Sequence, residues 1–222
     1  MIRLVVFDCD GTLVDSQHAI IKAMGSAFER NGLAAPGARA VRRTIGLSIA
    51  AAMAELHPRG GFEARAALVE DYRQAFHELR SRPDYHEPLY DGAAETLASL
   101  EAAGYLLGVA TGKSQRGLRA TLDRLGLRDR FVTLQTADDA PSKPHPGMLE
   151  NAMTEAGAAP DETVLVGDTT FDIEMAVNAG VTGIGVGWGY HGADELRAVG
   201  ARMVIDSFAA LPGALAELGG AP

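Results

Sequence analysis

Two aspartates separated by one residue stand in Phe7-Asp8-Cys9-Asp10-Gly11-Thr12-Leu13, directly after the apolar run Leu4 to Phe7. On an extended chain, residues i and i+2 point to the same side, so Asp8 and Asp10 offer two carboxylates to one cation, and Gly11 lets the backbone turn sharply beyond them. A second group is Thr111-Gly112-Lys113-Ser114, where a hydroxyl and successive N–H groups open a helix and make a seat for phosphate. A lysine, Lys143, stands between Ser142 and Pro144, and Gly167-Asp168-Thr169-Thr170-Phe171-Asp172 returns two more acids. Each group alone has a plainer explanation, such as a helix N-cap by Thr111 or Ser114, a solvated lysine, or acids set against a helix dipole. What joins the four is position, because each falls where a strand is expected to end.

Those strands are read from short apolar runs: Leu4 to Phe7, Tyr105 to Ala110, Phe131 to Leu134, Val164 to Val166, Val181 to Val186 and Met203 to Ile205. Continuous runs of this kind mark parallel strands covered on both faces. Helical stretches alternate with them at Ala93 to Ala103, Gly117 to Leu125 and Phe171 to Ala179. The fold class is therefore α/β, a Rossmann-like doubly wound parallel sheet, in which ligands bind beyond the carboxyl ends of the strands.

The first crossover is far too long for one helix. From Asp15 to Tyr105 the chain keeps a helical period, with Ile20, Ile21, Met24, Ala27 and Phe28 on one apolar face and Leu68, Val69, Tyr72, Ala75, Phe76 and Leu79 on another. This predicts an inserted all-helical cap over residues 16–85 and a core made of residues 1–15 and 86–222. Pro83 and Pro88 mark the return. Within the insert, Arg42, Arg43, Thr44 and Gly46 are the expected loop facing the site, with Arg43 placed to pair with a carboxylate on a substrate.

The set DCDGT, TGKS, SKPHP and GDTTFD resembles the four motifs of the haloacid dehalogenase-like hydrolase superfamily, over nearly the whole chain. The nearest likeness is to phosphoglycolate phosphatases with a helical cap, and Pro-His-Pro after the lysine and Arg43-Thr44-Ile45-Gly46 carry it. The resemblance implies a Mg2+-dependent phosphatase acting on a small-molecule phosphate monoester through an aspartyl-phosphate. It makes Asp8 the nucleophile, ionised at neutral pH on a reference pKa of about 3.9. Asp10 is the general acid and base, and its main-chain carbonyl joins Asp8 and Asp168 on the metal. Thr111 and Gly112 hold phosphoryl oxygens, Lys143 offsets their charge, and Asp172 orients Lys143 or the metal shell. Arg43 and Gly46 bear on specificity.

Three other readings compete with this one. Gly187-Trp188-Gly189-Tyr190-His191-Gly192 matches a dinucleotide-binding GxGxxG, with Asp206 beyond it, but a glycine loop bordering the site explains it equally well. A phospho-receiver domain leaves the helical insert unexplained. A phosphosugar mutase would carry a histidine five residues after Asp15, where this chain has Ile20. The formal charge of −9, without a dense basic run, argues against nucleic acid as a partner. A single cysteine, Cys9, permits no internal disulfide, and no apolar run approaches membrane length. A cytoplasmic monomer or homodimer is expected.

Overall fold

The computed structural model describes residues 1–219. Leu4–Phe7 (β1) lies at the middle of a parallel sheet between Leu106–Thr111 (β2) and Thr163–Gly167 (β4). Thr133–Thr136 (β3) lies outside β2, and Thr182–Val186 (β5) and Met203–Ile205 (β6) follow β4, giving the six-stranded order β3-β2-β1-β4-β5-β6. This is the doubly wound arrangement, whose two halves diverge from β1.

The alternation of side chains along β1 divides the core in two. Val5 and Phe7 face a layer built with Leu97 and Leu100 of α5 (Ala93–Ala102) and Leu118 and Leu122 of α6 (Gln115–Leu125). Leu4 and Val6 face the opposite layer, where α7 (Gly147–Ala156) and α8 (Thr170–Asn178) contribute Met148, Leu149, Ala152 and Met175. Both faces of the sheet are thus dry, as the uninterrupted apolar runs require.

Four helices intervene between β1 and α5: α1 (Gln17–Arg30), α2 (Ala38–Arg42), α3 (Ile49–Leu56) and α4 (Phe62–Arg80). They bury a separate cluster around Met24, Phe28, Met53, Leu68 and Phe76, so this segment has its own hydrophobic centre. The chain leaves and re-enters the sheet along adjacent connections: Asp15 N–H donates to Pro88 O at 2.9 Å, and Val14 bridges Leu89. The segment lies on the core, where Ser48 N–H donates to Ser142 Oγ at 2.8 Å. Two short helices, α9 (Ala193–Ala198) and α10 (Leu211–Glu217), complete the fold.

The observed β3 starts two residues later than the apolar run Phe131 to Leu134 indicates. Phe131 is buried by side-chain packing ahead of the strand, while the polar Thr133, Gln135 and Thr136 are buried inside it. Gln135 Nε2 donates to Thr133 Oγ1 at 2.9 Å, which satisfies part of that polarity within the strand.

Candidate active site

Strand register brings the motifs together. Phe7 is level with Val109 of β2 and Val166 of β4, so Asp8, Thr111 and Asp168 all emerge within two residues of one line at the carboxyl edge. Asp8 N–H donates to Val166 O at 2.9 Å, which extends the pairing one residue beyond β1 and fixes the first acid.

Lys143 Nζ lies 2.7 Å from Asp8 Oδ1 and 2.6 Å from Asp172 Oδ1, with all three side chains withdrawn from solvent. Asp172 is held in turn by its place in α8. Its Oδ2 accepts from Thr169 N–H at 3.0 Å and Thr169 Oγ1 at 2.7 Å, and Thr169 Oγ1 accepts back from Asp172 N–H, a reciprocal cap that uses otherwise unpaired N–H groups. Asp168 Oδ1 accepts from Thr12 Oγ1 and Oδ2 accepts from Tyr190 N–H, both at 2.9 Å. Gly11 is obligatory beside it, because its φ of 92° is left-handed and a Cβ there would stand 2.3 Å from Asp168 Oδ2.

Asp8, Asp168 and Asp172 each offer a carboxylate oxygen within 4.8 Å of the others. Asp8 and Asp172 share the single ammonium of Lys143, Asp168 forms no ion pair among the described residues, and Asp8 Oδ2 is buried with no hydrogen-bond partner. A surplus of buried negative charge and an orphaned carboxylate oxygen fit a hard divalent cation, which prefers oxygen ligands. The side chain of Asp10 does not join this cluster. Its Oδ1 is engaged by Ser16 Oγ and by Lys113 Nζ, the latter at 2.7 Å, so a ligand role for Asp10 belongs to its main-chain carbonyl.

Burial sets the electrostatics. It pushes the Asp8 carboxyl up to about 7; Lys143 opposes that shift and the neighbouring Asp172 adds to it. Burial, then Asp172 and Asp8, hold Asp168 well above the usual carboxylate range. The same burial works against the Lys143 ammonium, but Asp172 and Asp8 outweigh it and keep the lysine charged.

Beyond the acids a cleft opens between core and inserted helices, lined by Asp10, Thr111, Gly112, Lys113, Thr44 and Gly46 among others. Thr111 is buried at the end of β2, and Ser114 caps α6 by accepting from Gly117 N–H at 3.2 Å. Arg43 departs from its expected position. It lies outside the lining of this cleft, with its guanidinium Nη1 2.9 Å from Glu195 Oε1, a half-exposed carboxylate of α9.

Two functional candidates escaped the sequence reading. Lys113, passed over within TGKS, is buried against Asp10 and stands 3.8 Å from Glu87 Oε1. Glu87, in the return connection, has no exposed side-chain surface and also receives Arg124 at 3.1 Å. The only hint in the sequence was a lysine beside the phosphate-seat threonine. The glycine loop at residues 187–192 borders the acids: Tyr190 meets Asp168, and Trp188 Nε1 donates to Thr12 O at 3.1 Å.

The fold and the converging acids define a hydrolase class, and residues 5–186 match the family described as haloacid dehalogenase-like hydrolase. The chain belongs to that family, and it is an enzyme, a phosphoric monoester hydrolase. It is 38% identical over 213 residues to the "Probable phosphatase IndB" of Dickeya dadantii (strain 3937), covering 95% of this chain and 92% of that one. It is 32% identical over 218 residues to a phosphoglycolate phosphatase of Rhodospirillum rubrum, covering 95% of this chain and 90% of the relative. Among solved structures, a hydrolase from Pseudomonas syringae superposes with a TM-score of 0.86 at 27% identity over 97% of this chain and 98% of that one. No helix among the described residues is long and apolar enough to cross a membrane.

Proposed function

We propose that the chain is a magnesium-dependent phosphatase that hydrolyses a small organic phosphate monoester in two steps through an aspartyl-phosphate on Asp8. The observation that carries this reading is the shared lysine: Lys143 holds one oxygen of Asp8 and leaves the other buried without a partner at the strand edge. In the first step an Asp8 oxygen forms a bond to phosphorus, the ester P–O bond breaks, and Asp10 delivers a proton to the departing oxygen. In the second step Asp10 takes a proton from water, whose oxygen attacks the aspartyl-phosphate and releases inorganic phosphate and free Asp8.

Lys143 offsets negative charge on the nucleophile and the phosphoryl group, and Asp172 positions Lys143. Thr111 and Gly112 receive phosphoryl oxygens. Asp8, Asp168 and the main-chain carbonyl of Asp10 would hold magnesium, which supplies further positive charge where the transition state is most negative. Residues 16–85 act as the cap that excludes water from the reacting group. Phosphate monoesters hydrolyse so slowly that enzymes supply accelerations of up to about 10²¹-fold, and this concentration of cations and fixed donors is what such a barrier demands.

Phosphoglycolate is the first ester to test, since a relative is named for it. A panel of phosphate monoesters assayed for phosphate release with magnesium and with chelator is expected to give turnover only with the metal. A chain that releases no phosphate from any ester, or does so equally in chelator, is not the enzyme proposed.

A further inference from the structure

The cleft beside Asp10 has a volume of about 370 Å³. Ligand cavities of roughly 300 to 1,000 Å³ accommodate drug-sized molecules, far more than a two-carbon leaving group. Its walls divide by chemistry. Ile20 and Met24 of α1 and Phe76 of α4 make an apolar side, while Arg80 of α4 and Arg116 of α6 bring one guanidinium from the inserted helices and one from the core. Arg80 stacks over the Phe76 ring, 4.7 Å from its centroid, and its Nε is buried with no acceptor. Neither Arg80 nor Arg116 forms an ion pair among the described residues, whereas the neighbouring Lys113 is already engaged by Asp10. In a chain of net charge −9, two guanidinium groups that form no ion pair at one cleft, with only the already paired Glu87 acting on Arg80, are an asymmetry that calls for an anion.

We propose that the substrate's leaving group has a ring-sized apolar body and carries an anionic group at its far end, received by Arg80 and Arg116. The inference rests on the phosphatase reading and adds the chemical class of the ester. In phosphoglycolate the carboxylate begins one methylene beyond the ester oxygen, which leaves the apolar wall uncovered. A longer leaving group covers that wall and supplies the acceptor that the buried Arg80 Nε lacks.

The test compares kcat/KM, with magnesium, for phenyl phosphate, 4-carboxyphenyl phosphate and phosphoglycolate, in the wild type and in Arg80→Gln and Arg116→Gln. A charge-assisted hydrogen bond predicts that the carboxylated aryl ester exceeds phenyl phosphate by about tenfold or more. It should also exceed phosphoglycolate, and its advantage over phenyl phosphate should fall toward one in each variant. Arg116 lies on an exposed part of α6, so its variant reports even where the half-buried Arg80 disturbs folding. A ratio near one in the wild type, a ratio that survives both substitutions, or phosphoglycolate as the best of the three overturns the proposal. No phosphate release from any ester sinks the phosphatase reading instead.

Discussion

Lys113 donates to Asp10 across 2.7 Å, and about nine-tenths of each side chain is buried. The contact ties the second acid of the first motif to the loop that follows β2, and Glu87 ties both to the chain where it returns from the inserted helices. Burial works against the Lys113 ammonium, but Asp10 and Glu87 outweigh it and hold it charged. We propose from this contact that Lys113 positions Asp10.

Lys113→Met leaves the buried Asp10 without its cation and Glu87 with Arg124 alone. Breaking a buried pair costs about 3 to 5 kcal/mol, so the melting temperature should drop. Because a positioned acid–base group contributes roughly 10² to 10⁴ in rate, kcat should fall by about 10²-fold. Lys113→Arg should recover part of kcat, and a shifted pH–rate profile in the variants would separate positioning from simple loss of stability. Unchanged kcat in Lys113→Met would remove Lys113 from any part in the reaction.

Asp8→Asn removes the proposed nucleophile and one of three clustered carboxylates while keeping the side chain's shape. Turnover should be abolished, while the metal-free protein melts no lower than the wild type, since the substitution relieves buried like charge. Residual turnover at a normal rate would refute the nucleophile assignment.

The raised pKa of Asp8, up to about 7, gives metal binding a pH dependence. A cation binds the ionised carboxylate, so it must displace a proton from any Asp8 that still carries one. The rise in melting temperature on adding a fixed magnesium concentration should therefore be larger at pH 8 than at pH 6. An equal shift at both values would mean that Asp8 is not among the ligands.

Glu87 is shifted the other way. Burial alone would raise its carboxyl, but Lys113, with help from Tyr85 and Arg80, brings it below its ordinary value. The folded state then binds its proton less readily than the unfolded chain. Its contribution is present above the unfolded value of 4.5 and is lost as pH falls through the lower, folded one. Glu87→Gln should lower stability at pH 7 by about 3 kcal/mol and flatten the acid side of the melting curve. A variant whose stability matches the wild type at pH 7 would show that the buried network contributes nothing there.

Much of the architecture was legible because local rules and tertiary burial agree. The run Leu4 to Phe7 is apolar at every position and is buried on both faces, and the acids after β1 and β4 fall at one edge because parallel strands in register must end together. Pairings across long sequence separations were not legible except where a family motif named both partners, as for Lys143 with Asp8 and Asp172. Lys113 meets partners 103 residues before it and 26 before it, and no local pattern distinguishes that ammonium from a solvated one. The contact of Arg43 with Glu195 was hidden for the same reason, since the two are 152 residues apart. Exposed pairs of that kind contribute about 0 to 1 kcal/mol, so Arg43→Ala should leave both the ester preference and the melting temperature nearly unchanged.

Gly112 combines the phosphate seat with closure of the cleft. A Cβ added there would stand 2.3 Å from Leu47 O and 2.7 Å from Gly46 O, both main-chain atoms of the loop between α2 and α3. Backbone cannot rotate aside as a flexible side chain does, so Gly112→Ala must push this loop away from the core. The contact from Ser48 N–H to Ser142 Oγ, one residue before Lys143, lies next to Leu47 and should loosen with it. A displacement of about 1 Å in a positioning element can cost roughly 10²-fold in rate, so kcat/KM should fall by that order. The core sheet, which has no part in the clash, should keep its melting transition. Wild-type kcat/KM in Gly112→Ala would show that the loop need not meet the core for the reaction to proceed.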